Sequence, residues 1–240
     1  MGKVTVLNET TVEPISLIGK SAGICWGANV DDKKKNFNRG IDCILSGHGR
    51  TLEFPNISLV LDGYSARVIR ELYTHIGGAP TRLQASTRYI DYSDFEYVVP
   101  PKILQNITAQ NKYHETMFKI IDALKELDAL DIPREDSAML LPLGMTTKVI
   151  IKMNLRELIA IFNQRLCTRA YWEFRNLMND IKQALIEYET QFDKYPEDDL
   201  PNQWEWLAKN MFVPKCVRDG VCYEKYCCGR APKAVRKEFN

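Results

Sequence analysis

Arginines carry most of the chemistry that residue type and spacing suggest in this chain. Arg165 and Arg169 stand four residues apart in a stretch of helical periodicity, a spacing that predicts a shared helix face. Arg165 adjoins the apolar positions Phe162 and Leu166, and a guanidinium at the edge of a buried face needs an acceptor. That acceptor is either structural, a carboxylate such as Glu173 or a group on another helix, or functional, an anion or polar heterocycle at the helix surface. A second set lies between Arg70 and Tyr89. A helix end at His75, the pair Gly77-Gly78, several hydroxyls, and Arg82 and Arg88 are the ingredients of a phosphate cradle. Glycines let backbone N–H groups approach an anion, and arginine grips it bidentately. The plainer reading of the same segment is a surface turn with His75 as a structural histidine.

Thiols form the third set. Cys216, Cys222, Cys227 and Cys228 fall within the last 25 residues and could bind zinc, but their spacings lack paired Cys-x-x-Cys knuckles. A packed or redox-sensitive tail, or one lying on a neighbouring subunit, is the preferred reading, and no metal ligands are assigned. Trp204 and Trp206 read as an anchor for that tail. Cys167 has no recognisable base nearby and reads as a small packed side chain. His48-Gly49 reads as a helix exit, His114 as a surface or structural histidine, and Asp31–Lys35 as a solvated loop.

The elements that must position these groups are legible from periodicity. Val4–Leu7, Ile57–Leu61 and, most clearly, Thr146–Met153 read as strands. Asn36–Leu45 and Ser65–His75 read as helices, with Gly77, Gly78 and Pro80 ending the second before a polar loop at Thr81–Tyr89. Lys102–Leu130 reads as one helix, and Pro133 opens a short one. Asn154 and Glu157 make a capping box that starts a helix predicted to run to about Phe192. Strands without strict strand-helix alternation imply an α+β fold, a mixed or antiparallel sheet packed with long helices. No Gly-x-Gly-x-x-Gly follows a strand and no P-loop is present, so any nucleotide cofactor is held by an uncommon fold.

Composition sets the outer limits. The chain has 240 residues, 32 Lys+Arg against 31 Asp+Glu, and 45% hydrophobic residues, the usage of a packed globular protein. This length suits one domain, residues 1–194, with a Trp- and Cys-rich extension at 195–240. A net charge of +1 supplies no broad field for a nucleic acid, so any phosphate must be bound locally. The first residues lack a signal-peptide core, and no run is long enough to span a bilayer, so a cytoplasmic protein with no membrane or nucleic-acid partner is expected.

The two arginine segments together carry a resemblance. Ser86-x-Arg88-Tyr89 after a His-containing helix end, then Asn154-x-Arg156-x-Leu158, Phe162, Arg165 and Ala170-x-Trp172-Glu173, resembles the flavin-dependent thymidylate synthases. His48-Gly49 near Thr51 and Phe54, and Leu141-Pro142-Leu143 before the strand, fit the same order, which covers roughly residues 1 to 190. The resemblance implies a catalytic role for Arg165, contacting the uracil ring. It implies dUMP-binding roles for Gln84, Ser86 and Arg88, and FAD-binding roles for Thr51, His75, Gln84, Asn154 and Arg156. Gln84 stands where the family usually has a glutamate. The chain also departs from the pattern: Thr74-His75-Ile76 replaces Arg-His-Arg, Gly77-Gly78 is an insertion, and Ala138 stands where an arginine is expected. Arg82 and Arg50 are the candidates to supply the lost charge.

The implied activity is reductive methylation of dUMP to dTMP, with FAD as cofactor and NADPH and methylenetetrahydrofolate as co-substrates. The implied assembly is a homotetramer with shared active sites. C5 of a neutral uracil is a poor nucleophile, activated either by a thiolate at C6 or by stabilising negative charge on the N3/O4 edge. The family takes the second route, which gives Arg165 more weight than any cysteine. The alternatives are a divergent flavoenzyme acting on another pyrimidine nucleotide and a non-catalytic nucleotide-binding or interaction protein.

Overall fold

The structure, a computed structural model, describes residues 2–77, 80–192 and 200–234. In chain order the elements are β1 (Lys3–Val6), α1 (Pro14–Cys25), α2 (Lys33–Leu45), a 3-10 turn (Gly49–Glu53), β2 (Asn56–Ser65), α3 (Ala66–Leu72) and β3 (Thr81–Gln84). There follow α4 (Pro101–Leu104), α5 (Ile107–Ala129), α6 (Arg134–Ser137), a 3-10 turn (Ala138–Leu140), β4 (Thr146–Asn154), α7 (Leu155–Arg165), α8 (Trp172–Thr190), α9 (Gln203–Asn210) and α10 (Lys215–Arg218). The four strands form one sheet in the order β1-β2-β4-β3. Leu7 N–H on the Ser58 carbonyl sets β1 antiparallel to β2, and bonds from Ala66 to Met145 and from Leu155 to Pro55 do the same for β2 and β4. The α+β expectation therefore holds.

Four sequence expectations change. Thr81–Tyr89 is not wholly loop: its first four residues are β3, followed by a bond from Ala85 N–H to the Lys148 carbonyl. Lys102–Leu130 is two helices, because the Asn106 side chain accepts from Ala109 N–H and starts a new one. Lys33–Lys35 is the first turn of α2, capped by Asp32, and not a loop. Most important, no single helix runs from Asn154 to Phe192. It stops at Arg165 and resumes at Trp172, so Arg169 sits in the intervening turn and shares no helix face with Arg165. No proline or glycine marks this break. Guanidiniums satisfy the freed carbonyls: Arg230 donates to Leu166 O at 3.1 Å, and Arg175 donates to Thr168 O and Ala170 O. A helix the sequence reading passed over, α1, begins with proline at its first position and is interrupted in pattern by Gly19 and Gly23.

The chain divides into two compact units. The first comprises Met1–Lys3, Val60–Thr74 and Arg82–Ile150. Its core joins Met117, Ile121 and Leu124 of α5 with Phe95 and Met145, with Tyr92, Tyr97 and Tyr113 packed against them. His114 has a structural partner there, its Nδ1 lying 2.6 Å from the Tyr97 hydroxyl.

The second unit comprises Val4–Leu59, His75–Thr81 and Ile151–Asn240. In it α1 and α2 cross so closely that a Cβ on Gly19 or Gly40 would meet the other helix's backbone, which fixes both positions as glycine. The stripe of α7 (Leu155, Leu158, Ile159, Phe162) and that of α8 (Phe174, Leu177, Ile181, Leu185) are buried with Trp204 and Leu207 of α9. Phe162 stacks on Phe212 at 4.2 Å. Buried Gln203 accepts from Ile15 N–H at 2.7 Å and Ser16 N–H at 2.9 Å, capping α1, whose own N-cap Glu13 makes no side-chain cap. Glu189 likewise accepts from Gln203 N–H and Trp204 N–H at the start of α9. Among the described residues no helix is long and apolar enough to cross a membrane.

Candidate functional site

Arg165 is the last residue of α7, placed there by the Asn154 cap and an apolar stripe that buries Leu158, Ile159 and Phe162 beneath it. Its Nε donates to His75 Nε2 at 2.9 Å. Its guanidinium carbon lies 4.7 Å from the centre of the Phe174 ring. His75, 8% exposed, meets the same ring edge-on at 6.0 Å. An imidazole that accepts at Nε2 is left with Nδ1 as its donor. Among the partners of Arg165 are thus a histidine 90 residues away and an aromatic face, a pairing that no local spacing reveals.

Arg165 lines a cavity of about 440 Å³, within the size range of small-ligand sites. Its opposite wall is the C-terminal tail, including Cys222, Tyr223, Glu224 and Tyr226. Two contacts strap the tail to the turn after α7: Arg169 to Glu224, and Arg230 to Leu166 O. Asn163 lines the same cavity; its amide nitrogen donates to Met211 O at 3.0 Å, and its buried Oδ1 has no partner among the described residues. Cys167 is also on the wall. The tail's part in this wall went unread in the sequence, where only its cysteines and tryptophans stood out.

The thiols differ in character. The Glu224 N–H pulls the Cys222 thiol down, but burial and the neighbouring Cys227 and Cys216 sulfurs outweigh it and raise the net value. Cys228 is lowered, first by the Arg230 N–H and then by the Thr168 hydroxyl. All seven cysteines are free thiols, and among the described residues no three His, Cys, Asp or Glu side chains stand together in an arrangement that could hold a metal ion.

The other candidates of the second unit gather around the 3-10 turn Gly49–Glu53. Arg156 donates to Glu53 Oε1 at 2.7 Å, and a Cβ on Gly49 would touch its guanidinium at 3.5 Å. Thr51 Oγ1 donates to His48 O at 2.7 Å, and Arg50 is exposed on the same turn. Asn154 Oδ1 accepts from Glu157 N–H at 2.9 Å, so its side chain caps α7. Gly77 lies against the buried Glu157 carboxylate, where a Cβ would come within 2.7 Å of Oε2. A carboxylate at that point opposes an anion, so Gly77 does not cradle phosphate; Gly78 lies outside the described residues.

In the first unit, β3 and the turn after it carry the remaining candidates. Arg82 lies over the Tyr73 ring at 4.3 Å, where burial pushes the Tyr73 hydroxyl up against the opposing pull of Arg82. Gln84 donates to the Thr147 hydroxyl at 3.3 Å. The Ser86 hydroxyl accepts from Arg88 N–H at 3.2 Å. Arg88 pairs with Glu135 at 2.8 Å, both half exposed. The carboxylate partners Glu53 and Glu135 have no signature in the sequence; only the fold brings them to their arginines.

Comparison with known proteins gives this arrangement a context. Residues 6–188 match the family described as thymidylate synthase complementing protein. The chain is 29% identical over 244 residues to the flavin-dependent thymidylate synthase of Nitratidesulfovibrio vulgaris, covering 92% of each chain. It is 29% identical over 240 residues to that of Pyrococcus furiosus, covering 94% of this chain and 91% of the relative. It is 31% identical over 182 residues to that of Thermococcus onnurineus, covering 74% and 69%. Among solved structures, thymidylate synthase X of Helicobacter pylori, crystallised with FAD and dUMP, has the same fold, with a TM-score of 0.63 at 17% identity over 88% of this chain and 99% of that one. With the family match spanning residues 6–188, this chain belongs to the thymidylate synthase complementing protein family.

Proposed function

We propose that this protein is a flavin-dependent thymidylate synthase that converts dUMP to dTMP. Methylenetetrahydrofolate gives the carbon, and NADPH supplies the reducing equivalents. The observation that carries the reading is Arg165, a permanent cation oriented by His75 and Phe174 on the wall of a cavity large enough for a nucleotide. A guanidinium fixed before substrate arrives stabilises charge on the uracil N3/O4 edge without reorganising, which makes C5 nucleophilic without a thiolate. In this reading Arg165 is catalytic. Gln84, Ser86, Arg88 and Arg82 bind the nucleotide, and Thr51, His75, Gln84, Asn154 and Arg156 serve the flavin.

The donor set around the 3-10 turn fits FAD. Two arginines, Arg50 and Arg156, stand at an exposed turn, and the Glu53 partner of Arg156 is half exposed and replaceable by a diphosphate. FAD, when bound, would supply the hydride. His75 is buried, so it serves the flavin indirectly, by holding Arg165 and shaping the apolar side of the site. The reading also implies a homotetramer whose subunits share active sites. Large apolar side chains left open in the first unit support it, Leu83 at 72% and Met139 at 87% exposure among them. A cytoplasmic location agrees with seven cysteines that form no disulfide.

The test is tritium release from C5-labelled dUMP with methylenetetrahydrofolate and NADPH, together with the absorbance of bound flavin. Release and a yellow protein are expected, and Arg165→Ala should abolish release while leaving the circular dichroism unchanged. Neither flavin nor release would overturn the reading. Bound flavin without release would move it to another pyrimidine nucleotide, to be identified by mass analysis of products.

A further inference from the structure

The turn after β3, which carries Ser86 and Arg88, is held at both ends. Ala85 N–H bonds to the Lys148 carbonyl and ties its start to β4. Within it, the Ser86 hydroxyl accepts from Arg88 N–H, and the Ser86 carbonyl accepts from Tyr89 and Ile90 N–H. Its far end is held from α6 by Arg134, a residue unmarked by any spacing in the sequence. Arg134 Nη1 donates to the Tyr89 carbonyl at 3.0 Å, and Nη2 lies 3.6 Å from the Asp91 carboxylate. The next residue, Glu135, takes the Arg88 guanidinium at 2.8 Å. Two adjacent residues of one short helix thus reach both the backbone of this turn and its arginine, across 45 and 47 positions of chain. The two holds differ in kind. Glu135 and Arg88 make an exposed side-chain pair, which contributes little by itself. Arg134 grips a main-chain carbonyl, so it constrains the path of the turn whatever side chains the turn carries.

We propose that Arg134 is the positioning residue of this turn: it sets the backbone that presents the Ser86 hydroxyl and the Arg88 guanidinium to the phosphate of the nucleotide, without holding the phosphate itself. The inference rests on the reading that Ser86 and Arg88 bind the nucleotide. Two effects follow from the place of Arg134. The first is geometric. Donors grip a phosphate only where they converge on it, and the bond to the Tyr89 carbonyl fixes the chain on the far side of Arg88 as the Lys148 carbonyl fixes it on the near side. The second is electrostatic. Ser93 N–H donates to Asp91 at 2.8 Å and lowers the pKa of its carboxyl, which keeps a negative charge three residues from Arg88. That charge opposes a phosphate, and Arg134 beside it offsets the opposition. The sequence of α6 is Arg-Glu-Asp-Ser, and Ala138 follows it, so Arg134 is the one cation that this element brings to the turn.

Steady-state tritium release by the full chain tests the inference. Arg134→Ala should raise KM for dUMP by about tenfold or more, with kcat within about a factor of two and KM for methylenetetrahydrofolate unchanged. A general loss of folded enzyme would instead lower kcat and leave KM alone. Arg134→Lys should recover part of the effect, because an ammonium still donates to the Tyr89 carbonyl but has no second nitrogen for Asp91. Arg88→Ala should raise the same KM, and the double variant should fall short of the product of the two single effects, because Arg134 acts through the turn that carries Arg88. An unchanged KM for dUMP in Arg134→Ala, a loss confined to kcat, or a double variant whose effects multiply would overturn the inference and leave the functional reading standing. An unaltered chain that releases no tritium from dUMP would overturn that reading, and Arg88→Ala with an unchanged KM would overturn the placement of the nucleotide at this turn; either result takes the inference with it.

Discussion

What the neighbours of Arg165 add to its guanidinium is direction. His75 fixes the guanidinium through Nε and Phe174 fixes its plane. His75→Ala removes the first constraint and leaves the second. It should lower kcat for tritium release by about 10²-fold, the scale of a misplaced reacting group, with a smaller change in KM. A rate within a factor of two of the unaltered enzyme would dismiss His75 as a positioning residue. The sequence singled out both residues but not their contact, because the bond joins positions 90 apart. The thiols make a second test at this scale. With its pKa lowered by the Arg230 N–H and the Thr168 hydroxyl, exposed Cys228 stays a thiolate to lower pH than a free cysteine. Its alkylation by iodoacetamide should therefore reach half its maximal rate below the pH of a free thiol, whereas the raised Cys222 should do so above it. Mass mapping of modified peptides across pH checks the order, and coincident profiles would contradict it.

Among the elements, those with strong local signals were legible and those stabilised from afar were not. Thr146–Met153 alternates cleanly and is β4, and Asn154 caps α7 as its spacing to Glu157 indicates. The break after Arg165 depends on Arg175 and Arg230 reaching carbonyls, and periodicity carries no trace of that. The start of α1 is similar. Its N-cap offers no side-chain bond, and the cap comes from Gln203, in a segment that the sequence divides from the rest. Gln203→Ala would leave two buried N–H donors without an acceptor, at a cost of about 3 kcal/mol. Urea denaturation followed by circular dichroism should show a loss of that order with an unchanged slope. A loss below about 0.5 kcal/mol, the size of an ordinary surface change, would mean that another group caps α1.

At the scale of the whole molecule, the α+β class was readable, since it follows from the pattern of strands and helices. The pairing of β3 with β4 and the tail's place on the Arg165 cavity were not, because they are long-range contacts between segments of weak local character. The same holds for association. Leu83 and Tyr89 read as loop residues in the sequence, and Met139 falls in the short helix opened at Pro133; only the fold shows all three open in the first unit. Burying such side chains in a subunit interface would contribute roughly 1.5–3 kcal/mol each. Light scattering on the eluting protein should therefore give about four times the 27.6 kDa chain mass. Leu83→Asp combined with Met139→Asp should reduce that mass, with circular dichroism unchanged, because neither side chain supports the core of its own subunit. A monomeric unaltered chain that still releases tritium from dUMP would rule out shared active sites, and each nucleotide would then be bound by one chain alone.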